Sequence, residues 1–340
     1  MPCPIGPPGA TGVSFVRILL ISCALLGQAP VVACTGEPNL RRDTETPSRG
    51  DLPWQRLPDA PSDRTEVTAT SDRERVFVIG GLGSDGQTVS TVEIYDPEQR
   101  RWSAGPALTL AVNHAMSASV AGTIYVVGGY LGPGLSNPTD RAFALQGARW
   151  IELPRMPETR AAGGAAAMGD RIYVAGGVGP DGLADRMLVF DVSSQSWATM
   201  EGPPTPREHL GVAALGGRLY VVGGRTGPIG SNLATAESFD RRHGNWDVLP
   251  DMPTERGGIA AAAASNGFVL AVGGEAETTF DEAEALDVRA ERWLELPPMP
   301  TARHGLGAAA IARVVYVVAG GTEPGYSFSS ANEAIDLGSL

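Results

Sequence analysis

The chain predicts an all-β protein, a closed ring of six four-stranded sheets of the six-bladed β-propeller type, and three regularities carry that expectation. Glycine pairs recur at Gly80-Gly81, Gly128-Gly129, Gly176-Gly177, Gly223-Gly224, Gly273-Gly274 and Gly320-Gly321, at steps of 48, 48, 47, 50 and 47 residues. All six tryptophans keep the same rhythm: Trp54, Trp102, Trp150, Trp197, Trp246 and Trp293 follow one another at steps of 48, 48, 47, 49 and 47. Glycine (44) and proline (27) are abundant, and no long window shows a helical period, as many short strands and tight turns require. A repeat of this length is one supersecondary unit that cannot bury both faces of its sheet alone, so neighbours must stack. Radial stacking leaves only short edges.

Each unit divides into strands a to d. Strand a is built of small residues, as in 161–167 (AAGGAAA), 260–264 (AAAAA) and 305–310 (GLGAAA). It must be innermost, because sheets converge at the axis and only Gly and Ala fit there. Strand b is apolar and β-branched and runs into the glycine pair, as in Ile124-Tyr125-Val126-Val127 and Leu219-Tyr220-Val221-Val222. Strand c ends in an aromatic or aliphatic residue followed by Asp: Tyr95-Asp96, Phe190-Asp191, Phe239-Asp240, Leu286-Asp287 and Ile335-Asp336. The Asp suits the c–d turn, where its side chain caps free amides. Strand d opens with Trp, which belongs farther out, where the blades diverge and space must be filled.

The units resemble the Kelch-repeat family, which forms β-propellers, through Ile172-Tyr173-Val174-Ala175-Gly176-Gly177, Phe190-Asp191 and Trp197 with their counterparts in the other repeats. The resemblance covers residues 51–340. It departs locally in blade 2, where Phe143-Ala144 stands at the strand-c motif, and in blade 6, where Ala319 precedes the glycines. The ring is expected to close across its own ends. Trp54 to Pro58 reads as a strand d with no strand a, b or c before it, and Glu333 to Asp336 as a strand c with no strand d after it.

Residues 1–33 read as an export signal, with Arg17 as positive flank and Ile18 to Leu26 as apolar core. Val31-Val32-Ala33-Cys34 resembles the lipobox of bacterial lipoproteins, which makes Cys34 the candidate lipidated residue; ordinary cleavage near Ala33, and a second box at Leu20-Ile21-Ser22-Cys23, are the alternatives. Residues 34–50 read as a flexible tether. The expected location is periplasmic or at the cell surface, anchored in the membrane through that lipid alone. Net charge is −12 and all 26 basic residues are arginine, so nucleic acid is not an expected partner, and lysine Schiff-base and P-loop chemistry are excluded. The three cysteines, Cys3, Cys23 and Cys34, all precede the repeats, so the repeats hold no disulfide and no thiolate metal site.

Ten residues after five of the six tryptophans stands an arginine: Arg64, Arg160, Arg207, Arg256 and Arg303, with Val112 in the sixth case. On the face where the b–c loops emerge, these are candidates for binding carboxylate ligands. The competing reading is structural, because Glu93, Glu237, Glu284 and Glu333 stand two residues before the strand-c motif of blades 1, 4, 5 and 6. Arg160, whose blade has Leu188 there, is then the arginine most available to a ligand; blade 2 has Arg141 at this position by the same count. Tyr130, Phe280, Tyr326 and Phe328 are loop aromatics, with Tyr326 the candidate ligand contact. His114, His209 and His304 stand 12, 12 and 11 residues after a Trp, an uneven register that argues against a shared metal, so no metal or other cofactor is expected. Glu208 and Glu255, beside Arg207 and Arg256, are the weak candidates for acid/base work.

The reading reached is a monomeric, non-enzymatic module that presents loops to a protein or glycan. The alternative is a sugar isomerase like the sialic-acid mutarotases/epimerases, which the chain resembles in size, blade number and export. A copper enzyme like galactose oxidase is disfavoured, since that family needs a Cys–Tyr crosslink and the propeller has no Cys.

Overall fold

A computed structural model describes residues 52–340; the expected signal, Cys34 and tether lie outside the described residues. Six four-stranded antiparallel sheets are formed, each in the order a-b-c-d. Blade 3 shows the pattern, with strands Gly164–Met168, Arg171–Ala175, Arg186–Asp191 and Ser196–Glu201. Phe190 sits opposite Trp197 across strands c and d, as Tyr95 does Trp102 and Phe239 does Trp246. Ring centroids of these three pairs lie 4.9–5.4 Å apart. The small-residue strands a line a central cavity of about 440 Å³, walled by Ala69, Ser117, Ala165, Ala213, Ala262 and Ala309 among others.

Three sets of recurring bonds tie blade to blade. Every indole nitrogen donates to a carbonyl at the end of strand d in the preceding blade: Trp102 to Pro58, Trp150 to Pro106, Trp197 to Pro154, Trp246 to Glu201, Trp293 to Pro250 and Trp54 to Pro297. The second residue of each glycine turn donates its N–H to the next blade, as Gly129 does to Arg160 O and Gly177 to Arg207 O, both at 2.8 Å. Only glycine serves there: at Gly177, with φ +87°, an added Cβ would stand 2.5 Å from Ala161 O. The third set closes the neck of the channel and is described below. The ring itself is closed as the sequence predicts. Strand Gln55–Arg56 pairs with Asn332–Asp336, with Gln55 opposite Ala334 and Arg56 opposite Glu333, which completes blade 6 from both ends of the described chain.

Two local alignments are corrected. In blade 2 the residue opposite Trp150 is Leu145, not Phe143, because the c–d turn is two residues shorter than in the other blades. Phe143, opposite Val126, therefore occupies the place that Glu93 holds opposite Val78 in blade 1, and Arg141 does not stand there. In blade 6 the left-handed pair is Ala319 (φ +59°) and Gly320 (φ +104°), one residue earlier than the Gly-Gly series suggests.

Candidate functional site

The five arginines do not reach the rim. Each is almost completely buried, at 0–1% exposure, and each is bonded within its own blade. Arg64 pairs with Glu93 at 2.7 Å, Arg207 with Glu237 at 2.6 Å, Arg256 with Glu284 at 2.7 Å and Arg303 with Glu333 at 2.7 Å. Carbonyls at the ends of strands b and c accept from the terminal guanidinium nitrogens as well; Arg303, for example, donates to Ala319 O at 2.8 Å and Ala331 O at 2.9 Å. Ser62, Thr205 and Thr301, two residues before their arginines, each donate at 2.8 Å to the second oxygen of the same Glu. The arginine candidates for ligand binding are thus replaced by structural ones: charge-assisted bonds hold the d–a connection against the ends of strands b and c.

Arg160 is no exception. Glu158, at the place of those hydroxyl residues, turns back onto Arg160 and supplies the carboxylate that Leu188 does not. In blade 2 an apolar pair fills the same space. Val112 and Phe143, both buried, belong to one hydrophobic cluster where the other blades have Arg and Glu.

The side chains that do face the mouth are different ones. The position twelve residues after each Trp has positive φ in every blade: Glu66 (+53°), His114 (+51°), Ala162 (+54°), His209 (+52°), Gly258 (+72°) and Gly305 (+57°). These residues form the neck. His114 N donates to Glu66 O, Ala162 N to His114 O, His209 N to Ala162 O, Gly258 N to His209 O and Gly305 N to Gly258 O, at 2.8–3.0 Å; Val67 N to Gly305 O, at 3.3 Å, closes the circle. This left-handed turn aims each side chain from the neck toward the mouth. His114 Nε2 lies 3.0 Å from Glu66 Oε2, and the His114 and His209 rings meet edge to face at 4.9 Å. His304 does join them, despite its different offset. Its Nδ1 stands 3.4 Å from both Glu66 Oε1 and Glu275 Oε2. Arg225 bridges Glu275 at 2.9 Å and Glu208 at 3.5 Å.

Electrostatics follow from this packing. Burial alone would raise the Glu66 carboxyl, but His114 and His304 outweigh it and hold the group well below the usual carboxylate range. Burial would lower His304, yet Glu66 and Glu275 carry it above the ordinary imidazole value. His209 is pushed down by burial, only partly opposed by Glu208. Buried Tyr130, whose ring meets His114 edge-on at 5.5 Å, is pushed up to about 12 by burial and by Glu208.

Above the cluster opens a recess of about 120 Å³ whose rim carries Leu135, Ile229 and Tyr326, from the b–c loops of blades 2, 4 and 6. Tyr326 is thus placed at the mouth as expected, and is exposed there. Phe280 and Phe328 are half-buried and Tyr130 is buried. Glu208 is engaged with Arg225 and faces His209, whereas Glu255 is exposed on the d–a connection of blade 5. Neither carboxylate lines the recess.

The KLHDC2/KLHL20/DRC7 Kelch-repeats domain matches residues 113–321, and the Kelch motif matches residues 63–109. The chain belongs to the Kelch-repeat family. It is 37% identical over 76 residues to beta-scruin of Limulus polyphemus, covering 22% of this chain and 8% of that protein. To human Kelch-like protein 34 it is 34% identical over 82 residues, covering 24% and 13%. To the Kelch-like protein terF of Aspergillus terreus it is 29% identical over 160 residues, covering 43% and 34%. The matches span about a third or less of each of these relatives. In this Kelch propeller the mouth cluster is assembled from single residues on blades 1, 2, 4, 5 and 6. Its signal in the sequence is the run of Glu, His and His at one offset where blades 3, 5 and 6 carry Ala, Gly and Gly.

Proposed function

We propose that this propeller is a binding module that docks a protein segment on its b–c loop face, with the mouth recess taking an apolar anchor side chain. One observation carries this reading. Of the five large hydrophobic residues exposed among the described residues, three (Leu135, Ile229 and Tyr326) converge on one recess from alternate blades. Exposed apolar groups gathered around a concavity with a polar floor are the usual anatomy of a protein-binding hot spot. Kelch propellers generally bind protein partners, which supports the same assignment.

The test uses the full chain and peptides selected from a displayed random library. Tyr326→Ala and Ile229→Ser are expected to weaken the selected peptides by at least ~10-fold. Val248→Ala, an exposed residue on strand d of blade 4, is expected to leave them unchanged. Equal affinity for all variants would remove the recess from the reading. A glycan array whose hits disappear in the same two variants would assign the site to a sugar instead.

The second part of the proposal is export with a lipid anchor at Cys34, supported by the Val31-Val32-Ala33-Cys34 box behind an apolar run. Intact mass spectrometry of the chain from the membrane fraction of a bacterial host is expected to show an acylated N-terminal Cys34. An unprocessed Met1, or a free mature terminus at Cys34, overturns it.

A further inference from the structure

We propose that Glu66, His114 and His209 form a binding site for one divalent transition-metal ion of the zinc type, at the neck of the channel, with an open coordination position facing the mouth recess. The proposal does not depend on a docked partner.

Geometry is the first support. One ligand atom from each of the three residues lies within 4.8 Å of the other two. Tetrahedral coordination at the usual bond lengths sets ligand atoms roughly 3.4 Å apart. The His114–Glu66 pair, at 3.0 Å, is already inside that distance, and a His209 nitrogen stands within 4.8 Å of both. Two imidazoles and a carboxylate suit zinc, copper, nickel or iron and not magnesium or calcium, which take oxygen ligands.

The surroundings of His114 are the second support. Asn113 Nδ2 donates to Thr88 Oγ1 at 2.8 Å and to Gly132 O at 3.0 Å. Those bonds turn Asn113 Oδ1 toward His114 Nδ1, at 2.6 Å, so Nδ1 must be the donor in that contact. Nε2 is left to face Glu66, and it is the nitrogen a metal would take. An orienting partner of this kind on the distal ring nitrogen is what metal-bound histidines require. Glu66 is arranged in the same way. His304 stands on its Oε1 side, while Oε2 points at His114. His209 is buried, and its Nδ1 has no hydrogen-bond partner, with Glu208 the nearest carboxylate at 3.6 Å.

The backbone is the third support. Glu66, His114 and His209 are all held at φ near +52°, a conformation that costs a non-glycine residue about 1 kcal/mol or more. Blades 5 and 6 meet the same geometry with Gly258 and Gly305 at no such cost. Ala162 keeps the same angle, at +54°, so the turn belongs to the neck as a whole; at Glu66, His114 and His209 it sends three ligand-bearing side chains to one place.

The test follows from that geometry, because glycine is the residue this backbone accepts best. The full chain carries Cys3→Ser, Cys23→Ser and Cys34→Ser, which removes its thiolates, and is freed of metal with a chelator. Titration with Co²⁺ is expected to give visible d–d absorption saturating at one equivalent and abolished by Zn²⁺. His209→Gly is expected to keep the fold, with a melting temperature at least that of the parent protein, and to weaken Zn²⁺ binding by at least ~100-fold. His114→Gly is expected to do the same, while His243→Ala, an exposed histidine on a c–d turn, changes nothing. A parent protein that binds no Zn²⁺, or a folded His209→Gly that binds it as tightly as the parent, overturns the proposal.

Discussion

Replacing Arg256 by alanine is expected to destabilise the propeller by about 3–5 kcal/mol, because it leaves the buried Glu284 carboxylate without its cation. For a domain of this size that is a fall in melting temperature of roughly 5–8 °C, measurable by calorimetry. The carbonyls of Gly273 and Glu282 lose their donor at the same time. Arg160→Ala is expected to cost less, about 1–2 kcal/mol, because its partner Glu158 is a third exposed and regains water. Equal losses in the two variants would contradict this account of the pairs. The chain itself supplies the control. Blade 2 builds the same joint from Val112 and Phe143, only 1% and 2% exposed, so the joint needs filled volume and not charge as such. The double variant Arg256→Val/Glu284→Phe is therefore expected to recover at least half of the stability lost in Arg256→Ala. A double variant worse than the single one would show that the charges, and not their mismatch, hold the joint.

That comparison also shows where the sequence was readable and where it was not. Periodic features are legible because every blade must solve the same packing problem. The Trp series, the glycine turns and the small strands a are each repeated solutions, and the four Arg–Glu pairs were visible for the same reason. Single compensations are hidden. Glu158 takes over from a missing strand-c carboxylate from a different place in the chain, and a simple count assigns Arg160 no partner. The shortened c–d turn of blade 2 shifts the count by two and disguises Phe143 as an irregular motif. The mouth cluster is hidden for a third reason. Its members come from five blades, and their meeting depends on the left-handed turn at the neck, which no residue but glycine announces. His304 illustrates this: one residue off the register of His114 and His209, it still brings Nδ1 to 3.4 Å from Glu66 Oε1.

Deleting residues 52–58 is expected to destabilise the whole propeller, by about 3–5 kcal/mol net, and to broaden its single melting transition. The deletion removes more than a short edge strand. Trp54 donates to Pro297 O in blade 5, and Pro58 O accepts from Trp102 in blade 1 and from Asn332 in blade 6. Leu57 N also bonds Asn332 O at 2.9 Å. A seven-residue segment therefore touches three consecutive blades at the one point where the covalent chain does not run between strands c and d. Buried Leu52 and partly buried Trp54 together contribute about 5 kcal/mol by area. The four hydrogen bonds add roughly 1 kcal/mol each. Bringing the two ends of a chain this long together costs about 5 kcal/mol, so closure remains favourable by a few kcal/mol. That margin is a large part of the stability of an ordinary domain. It is also why loss of closure spreads: strand Asn332–Asp336 becomes an open edge, and blades 1 and 5 each lose a neighbour. A synthetic peptide spanning 52–60, added to the truncated protein, is expected to restore the transition in a concentration-dependent way. A truncated protein that melts at the original temperature with the original sharpness would mean that the contacts of strand a, and not the latch at blade 6, hold the ring together.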